Sequence, residues 1–270
     1  MTTPESSLAA FYLRPNQPHK SEVTAEHGHV YQKELFFYLC LVLNNWEECR
    51  YWTIGFEVTD LKKFDDIVAE FEVNNEEYSF FIQTKHAAHA DKKVTRDHII
   101  PQPGIQQKNK SQEKSFEINQ YYEAVVKSKK SPNRTSKFIV LTNSEIDLDE
   151  TQSTDILTIV DESNAVYCEL FRELKDRCER DMKVIKFAKE IPLSGGAKIT
   201  DAFFLDNFSY ISKFPSSQEL MIINNVLLSR KYRNFPTKNF FKVRNNVFES
   251  LSLEKDSEGK LLISVSNSTG

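Results

Sequence analysis

A chain of 270 residues with 40% hydrophobic and 27% charged residues has an ordinary globular balance and enough apolar bulk for a sizeable core. Seven Gly in the whole chain exclude glycine-dependent architectures, and no Gly-rich phosphate loop is present. The net charge of −4 excludes a uniformly basic nucleic-acid binder. The longest apolar run, Leu35–Leu43, falls short of the roughly 18–20 residues that cross a bilayer, so no membrane partner is expected. Cys40, Cys49, Cys168 and Cys178 show no C-x-x-C spacing. That pattern fits free thiols in a reducing compartment, hence cytosol or nucleus.

Met1 to His27 is polar, contains Pro4, Pro15 and Pro18, and reads as a flexible N-terminal arm. From Gly28, residues Tyr31, Leu35, Phe36, Leu39, Val42 and Leu43 recur at three- and four-residue spacing, which predicts a helix ending near Asn44–Asn45. Tyr51–Glu57 is aromatic and β-branched and reads as a strand. Phe64–Val73 reads as a second, with Ile67, Ala69, Phe71 and Val73 on one face. Asn74–Glu76 is a hairpin turn, and Tyr78–Lys85 is the third strand, with Phe81, Gln83 and Lys85 sharing a face. Ala87–Glu113 has no periodicity and reads as a long polar loop.

Helical character returns at Phe116–Val126, and Lys137–Thr142 reads as a buried strand. An acidic loop follows over Asn143–Asp155, then a strand at Ile156–Val160 and a helix at Ala165–Lys175. Pro192–Gly196 punctuates the chain between a core of residues 28–191 and a mainly helical C-terminal segment, 197–270. In that segment Ala202–Phe208 carries apolar bulk. Ser216-Ser-Gln-Glu219 has the form of a capping box opening a helix through Leu228, and a polar tail from Asp256 holds one apolar patch, Leu261–Val265.

Charge is unevenly spread. Gln83–Lys137 holds twelve Lys/Arg against five Asp/Glu, a net of +7, which leaves −11 for the rest of the chain. A locally basic segment attracts polyanions despite the overall sign. Its first part carries Lys92, Lys93, Arg96, Lys108 and Lys110 directly after the third strand, where basic side chains would meet a nucleic-acid backbone.

The strands carry the chemistry. Glu57 ends the first, Asp65 and Asp66 open the second, and Gln83 and Lys85 lie on the third, seventeen and nineteen residues after Asp66. A short hairpin makes the second and third strands antiparallel, so Asp66 and Lys85 reach the same edge of the sheet. Carboxylate and amide oxygens from Asp66, Glu57 and Gln83 suit a hard divalent cation that keeps waters and takes phosphate oxygens. Lys85 would orient the attacking water or offset charge building on phosphorus. Asp65 remains an alternative ligand, although it shares parity with the apolar face of Ile67, Ala69 and Phe71. Gln32 and Glu34 on the first helix are positioned to complete the site. His86 has either a phosphate or acid–base role or a structural one.

The pattern E57…KFDD (63–66)…QTKH (83–86) resembles the PD-(D/E)XK, or restriction-endonuclease-like, nuclease superfamily. Within it, the chain is similar to a branch of arthropod and endosymbiont proteins in which Gln replaces the usual Glu of the third motif. GHVYQKEL (28–35), FEINQYYEAV (116–125), FIVLTNSEIDL (138–148) and FLDNF…FPSSQEL (204–220) resemble its flanking blocks, so the similarity spans about residues 28 to 230. Phe64 stands where many members have Pro, and Gln83 removes one negative charge from the metal site. The resemblance implies an α/β fold with a mixed central sheet flanked by helices and a mainly helical C-terminal part. It implies Mg²⁺ (or Mn²⁺) as cofactor and DNA or RNA as partner. It further implies either phosphodiester hydrolysis at Glu57, Asp66, Gln83 and Lys85 or a catalytically inactive nuclease-derived module that binds nucleic acid or a partner protein.

Overall fold

Residues 20–56, 63–86, 93–100, 116–127, 135–147, 157–159, 165–177, 182–187, 190–193, 197–231 and 261–266 are described here in a computed structural model. Spaced apolar residues make Lys20–Asn45 one helix, α1, which starts before Gly28 and buries Tyr31, Leu35, Leu39 and Leu43. An antiparallel meander follows, formed by β1 (Cys49–Phe56), β2 (Ile67–Val73) and β3 (Glu76–Lys85).

The period of two sorts these side chains as the sequence predicts. Ile67, Ala69, Phe71 and Val73 join Phe80 and Ile82 in the apolar cluster under α1, while Val68 and Phe81 enter a second cluster on the opposite face. The β2–β3 turn is Asn74–Asn75, with φ of 53° and 66°. Two consecutive left-handed residues match the twist of a tight hairpin, and Asn tolerates that conformation. Asn75→Ala is expected to lower the unfolding free energy by about 1 kcal/mol. A urea midpoint equal to that of the wild type would show that the turn is not strained by a Cβ-only side chain.

The segment predicted as loop after β3 contains structure: β4 (Val94–Thr95) and α2 (Arg96–Ile99). Val94, Ile99 and Ile100 are the only branched aliphatic residues between Ala87 and Gly104, and all three are buried. Elements of two and four residues are too short to express a period, so pattern reading misses them. Helix α3 (Ile118–Lys127) precedes β5 (Thr135–Thr142), which runs parallel to β3 from Tyr78↔Thr135 to Lys85↔Thr142. The short β6 (Ile146–Asp147) pairs with β4.

The chain continues through β7 (Leu157–Ile159), α4 (Ala165–Arg177), β8 (Lys183–Phe187), β9 (Ile191–Pro192) and β10 (Lys198–Ile199). It then forms α5 (Ala202–Asn207), β11 (Phe208–Ser212), α6 (Ser217–Lys231) and β12 (Leu261–Ser266). Eight strands form one mixed sheet in the order β12-β1-β2-β3-β5-β11-β8-β7. Helices α1, α4 and α6 pack on one face and α3 and α5 on the other. The C-terminal part is mainly helical, yet β11 enters the centre of the sheet and β12 covers β1 at its edge. No helix among the described residues is long and apolar enough to cross a membrane.

Candidate active site

The last paired rung of the β2–β3 hairpin is Ile67 with Ile82. Asp66 therefore leaves the ladder beside Gln83 and Thr84, and its carboxylate takes the place of the next backbone acceptor. Oδ2 accepts the Thr84 backbone N–H, the Thr84 hydroxyl and the Gln83 Nε2–H, each at 2.6 Å. Gln32, reaching from α1, contributes a further side-chain hydrogen bond. Alternation sends Thr84 and Gln83 to opposite faces of β3. A carboxylate at the strand end is open to both faces, so the two meet on one oxygen.

Phe64 fixes the approach to this turn. It is fully buried, with ring centroids 5.3 Å from Phe138, 5.4 Å from Tyr121 and 6.3 Å from Phe208. Edge and tilted packing of this kind is favourable for aromatic quadrupoles. The aromatic plug thus pins the residue two positions before Asp66.

Electrostatics mark the site as costly to the fold. Asp66 is 8% exposed, and burial raises its carboxyl above the ordinary carboxylate range. The Thr84 hydrogen bonds, the Lys85 charge and Gln32 oppose that rise without cancelling it. Burial likewise lowers the Lys85 ammonium below its usual value, against the attraction of Asp66. Two buried phenols flank Asp66. Tyr31 from α1 is pushed up by burial, then by Glu219 and Asp66, and Tyr121 from α3 is pushed up by burial and then Asp66. Among the described residues the Tyr31 hydroxyl has no hydrogen-bond partner.

The sequence-derived candidates separate into three groups. Gln83 and Gln32 bond to Asp66, and the charge of Lys85 acts on it. Asp65 lies alongside, half-buried, and its charge acts on Lys85. His86 lies against the Tyr31 ring, with centroids 4.5 Å apart. Glu34 is committed to α6, where Asn224 Nδ2 donates to its carboxylate and to its backbone oxygen, both at 3.0 Å. Among the basic residues, Lys93 is exposed and pairs with Asp147 at 2.9 Å and Glu145 at 3.8 Å, while Arg96 is half-buried at the start of α2. Glu57, Lys92, Lys108 and Lys110 lie outside the described residues.

Sequence reasoning missed Thr84, Tyr31 and Tyr121. A hydroxyl-bearing residue opposite an Asp that opens the partner strand was the available signal for Thr84. Nothing local marked the two tyrosines, which read as core.

Among the described residues no three His, Cys, Asp or Glu side chains form a metal cluster. The donors present still fit a Mg²⁺-like ion, which needs only one or two protein carboxylates and takes its remaining oxygens from water and phosphate. Asp66 supplies a buried carboxylate whose charge the fold leaves only partly compensated, and Gln83 lies beside it with its NH₂ end toward Asp66, so its carbonyl would become a ligand once the amide turns. An Asp that merely closed a hairpin would need Thr84 alone. A half-buried ammonium whose charge acts on it adds a desolvation cost that the fold does not require. The chain matches no protein-family model and no curated protein.

Proposed function

We propose that the protein is a metal-dependent nuclease of the PD-(D/E)XK type that hydrolyses phosphodiester bonds in DNA or RNA. The observation that carries this reading is the meeting of Asp66, Gln83, Lys85 and Gln32 at the adjoining ends of β2, β3 and α1. The order helix, three-stranded meander, helix, parallel strand supports it, because that order makes the helix-flanked mixed sheet the resemblance implies.

Asp66 and Gln83 would hold the cation, which when bound lowers the pKa of its water and offsets phosphate charge. Lys85 acts as a compact positive charge at the phosphate, where it stabilises the extra negative charge of the five-coordinate state. Its proton is held more loosely than that of a free lysine, so it is suited to sharing a hydrogen bond with the attacking water. Gln32 and Thr84 keep the Asp66 carboxylate in one orientation through the reaction.

A second reading, a module that binds nucleic acid without cutting, draws on the way Gln83 and Thr84 already satisfy Asp66 Oδ2. Cleavage of end-labelled DNA and RNA by the full chain separates the two. The nuclease reading expects cleavage in Mg²⁺ or Mn²⁺, none in EDTA, and a loss of about 100-fold or more in Asp66→Asn. Salt-dependent binding without turnover assigns the second reading, and equal cleavage by Asp66→Asn removes Asp66 from the site.

A further inference from the structure

Gln83 is 7% exposed, and its amide is held by two neighbours. Nε2 lies 2.6 Å from Asp66 Oδ2 and 3.3 Å from the Thr84 carbonyl oxygen. Both neighbours are acceptors, so the NH₂ end must face them. The reversed amide would set Oε1 against a carboxylate and a carbonyl with no proton between. The end turned to Asp66 is therefore the nitrogen end, which a divalent cation repels.

We infer that Gln83 is a latch on the cation site: its NH₂ group occupies Asp66 in the cation-free protein, and a cation bound to Asp66 turns the amide so that Oε1 becomes a ligand. The inference rests on the reading of Asp66 as a cation-holding nuclease residue. A carboxylate at position 83 lacks this device. It would face Asp66 with a second negative charge, destabilise the cation-free fold and draw the ion in. Glutamine does the opposite. It stabilises the closed site and makes the ion displace a short hydrogen bond in order to enter. The protein then discriminates between low and high divalent cation concentrations through one side chain.

The test follows the wild-type chain by NMR. The Gln83 side-chain NH₂ pair, assigned through its own backbone, is expected to exchange slowly with solvent in EDTA. Over the Mg²⁺ range in which cleavage rises, it shifts and loses that protection. In parallel, Gln83→Glu is expected to melt lower than wild type in EDTA, to recover in Mg²⁺, and to reach half-maximal thermal shift at about tenfold less Mg²⁺. An NH₂ pair that stays unshifted at Mg²⁺ concentrations supporting cleavage overturns the latch and leaves the nuclease reading standing. Absence of cleavage by the wild type, with no cation-dependent change in either measurement, overturns the nuclease reading and the latch with it.

Discussion

On the nuclease reading, Lys85→Met is expected to lower cleavage by a factor on the order of 10² to 10³ and at the same time to raise the urea midpoint at pH 7, a gain of about 1 kcal/mol. The activity loss follows from removing the ammonium whose charge acts on Asp66. The stability gain follows from the direction of two shifts. The folded-state pKa of Lys85 is lowered below 10.5, so the unfolded chain binds more protons between the two values. Its penalty is full below the folded value and fades as the pH rises towards 10.5. Asp66 is raised above 3.8, so the folded chain binds more protons in that window. Its penalty is absent at low pH and full once the pH has passed the raised value. Near neutrality both groups destabilise the fold.

Methionine keeps the length of the side chain and drops the charge. The substitution also takes a positive neighbour from Asp66, but the Thr84 hydrogen bonds stabilise that carboxylate more than Lys85 does. Removing the desolvated ammonium therefore wins. Urea titrations at pH 7 and pH 10 check the sign, because the gain must shrink towards the upper pH. A midpoint below wild type at pH 7 would mean that the Lys85–Asp66 attraction holds the hairpin end together. Lys85 would then be a structural partner rather than a group kept for chemistry.

Phe64→Ala is expected to cost about 3–5 kcal/mol, the range for deleting a buried aromatic ring. It also slows the folded fraction by about tenfold, because small misplacements of catalytic groups carry large rate penalties. The ring packs on Tyr121, Phe138 and Phe208, so its loss opens a void bounded by α3, β5 and β11. Main-chain pairing of β2 with β3 does not include Asp66, which depends on the plug before it and the Thr84 contacts beside it. Cleavage measured at low temperature and corrected for the urea-derived folded fraction separates the two effects. Undiminished activity per folded molecule would show that Thr84 and Gln83 alone place Asp66.

The parts legible in the sequence are those where one local rule acts alone. Alternation in Ile67–Val73 and Tyr78–Lys85 sorted the two faces, and two asparagines marked the turn between them. The Ser216–Glu219 capping box forms as read, with Ser216 N–H donating to Glu219 Oε2 at 2.7 Å and Glu219 N–H to Ser216 Oγ at 3.3 Å. Seventeen residues across a hairpin sufficed to bring Gln83 to Asp66.

What stayed hidden depends on tertiary context. Phe208–Ser212 alternates Phe, Ser, Tyr, Ile and Ser, which looks half-exposed, yet all five are buried because β11 runs through the middle of the sheet. Thr84 went unread because its contact with Asp66 forms where the strand ends and parity stops being informative. Tyr31 earns its relation to Asp66 from the crossing of α1 over β3, which no window of sequence contains.

The edge of the sheet sets a schedule for folding. β1 is paired on its outer side by β12, the segment Leu261–Ser266, so a stretch far downstream in the chain must leave the ribosome before that seam can close. Until then the nascent chain carries a row of bare amide and carbonyl groups along Tyr51–Phe56, open to any passing strand. Contacts this remote in sequence also slow the final assembly step. A fold completed so late leaves the growing chain dependent on protection from aggregation over the same interval.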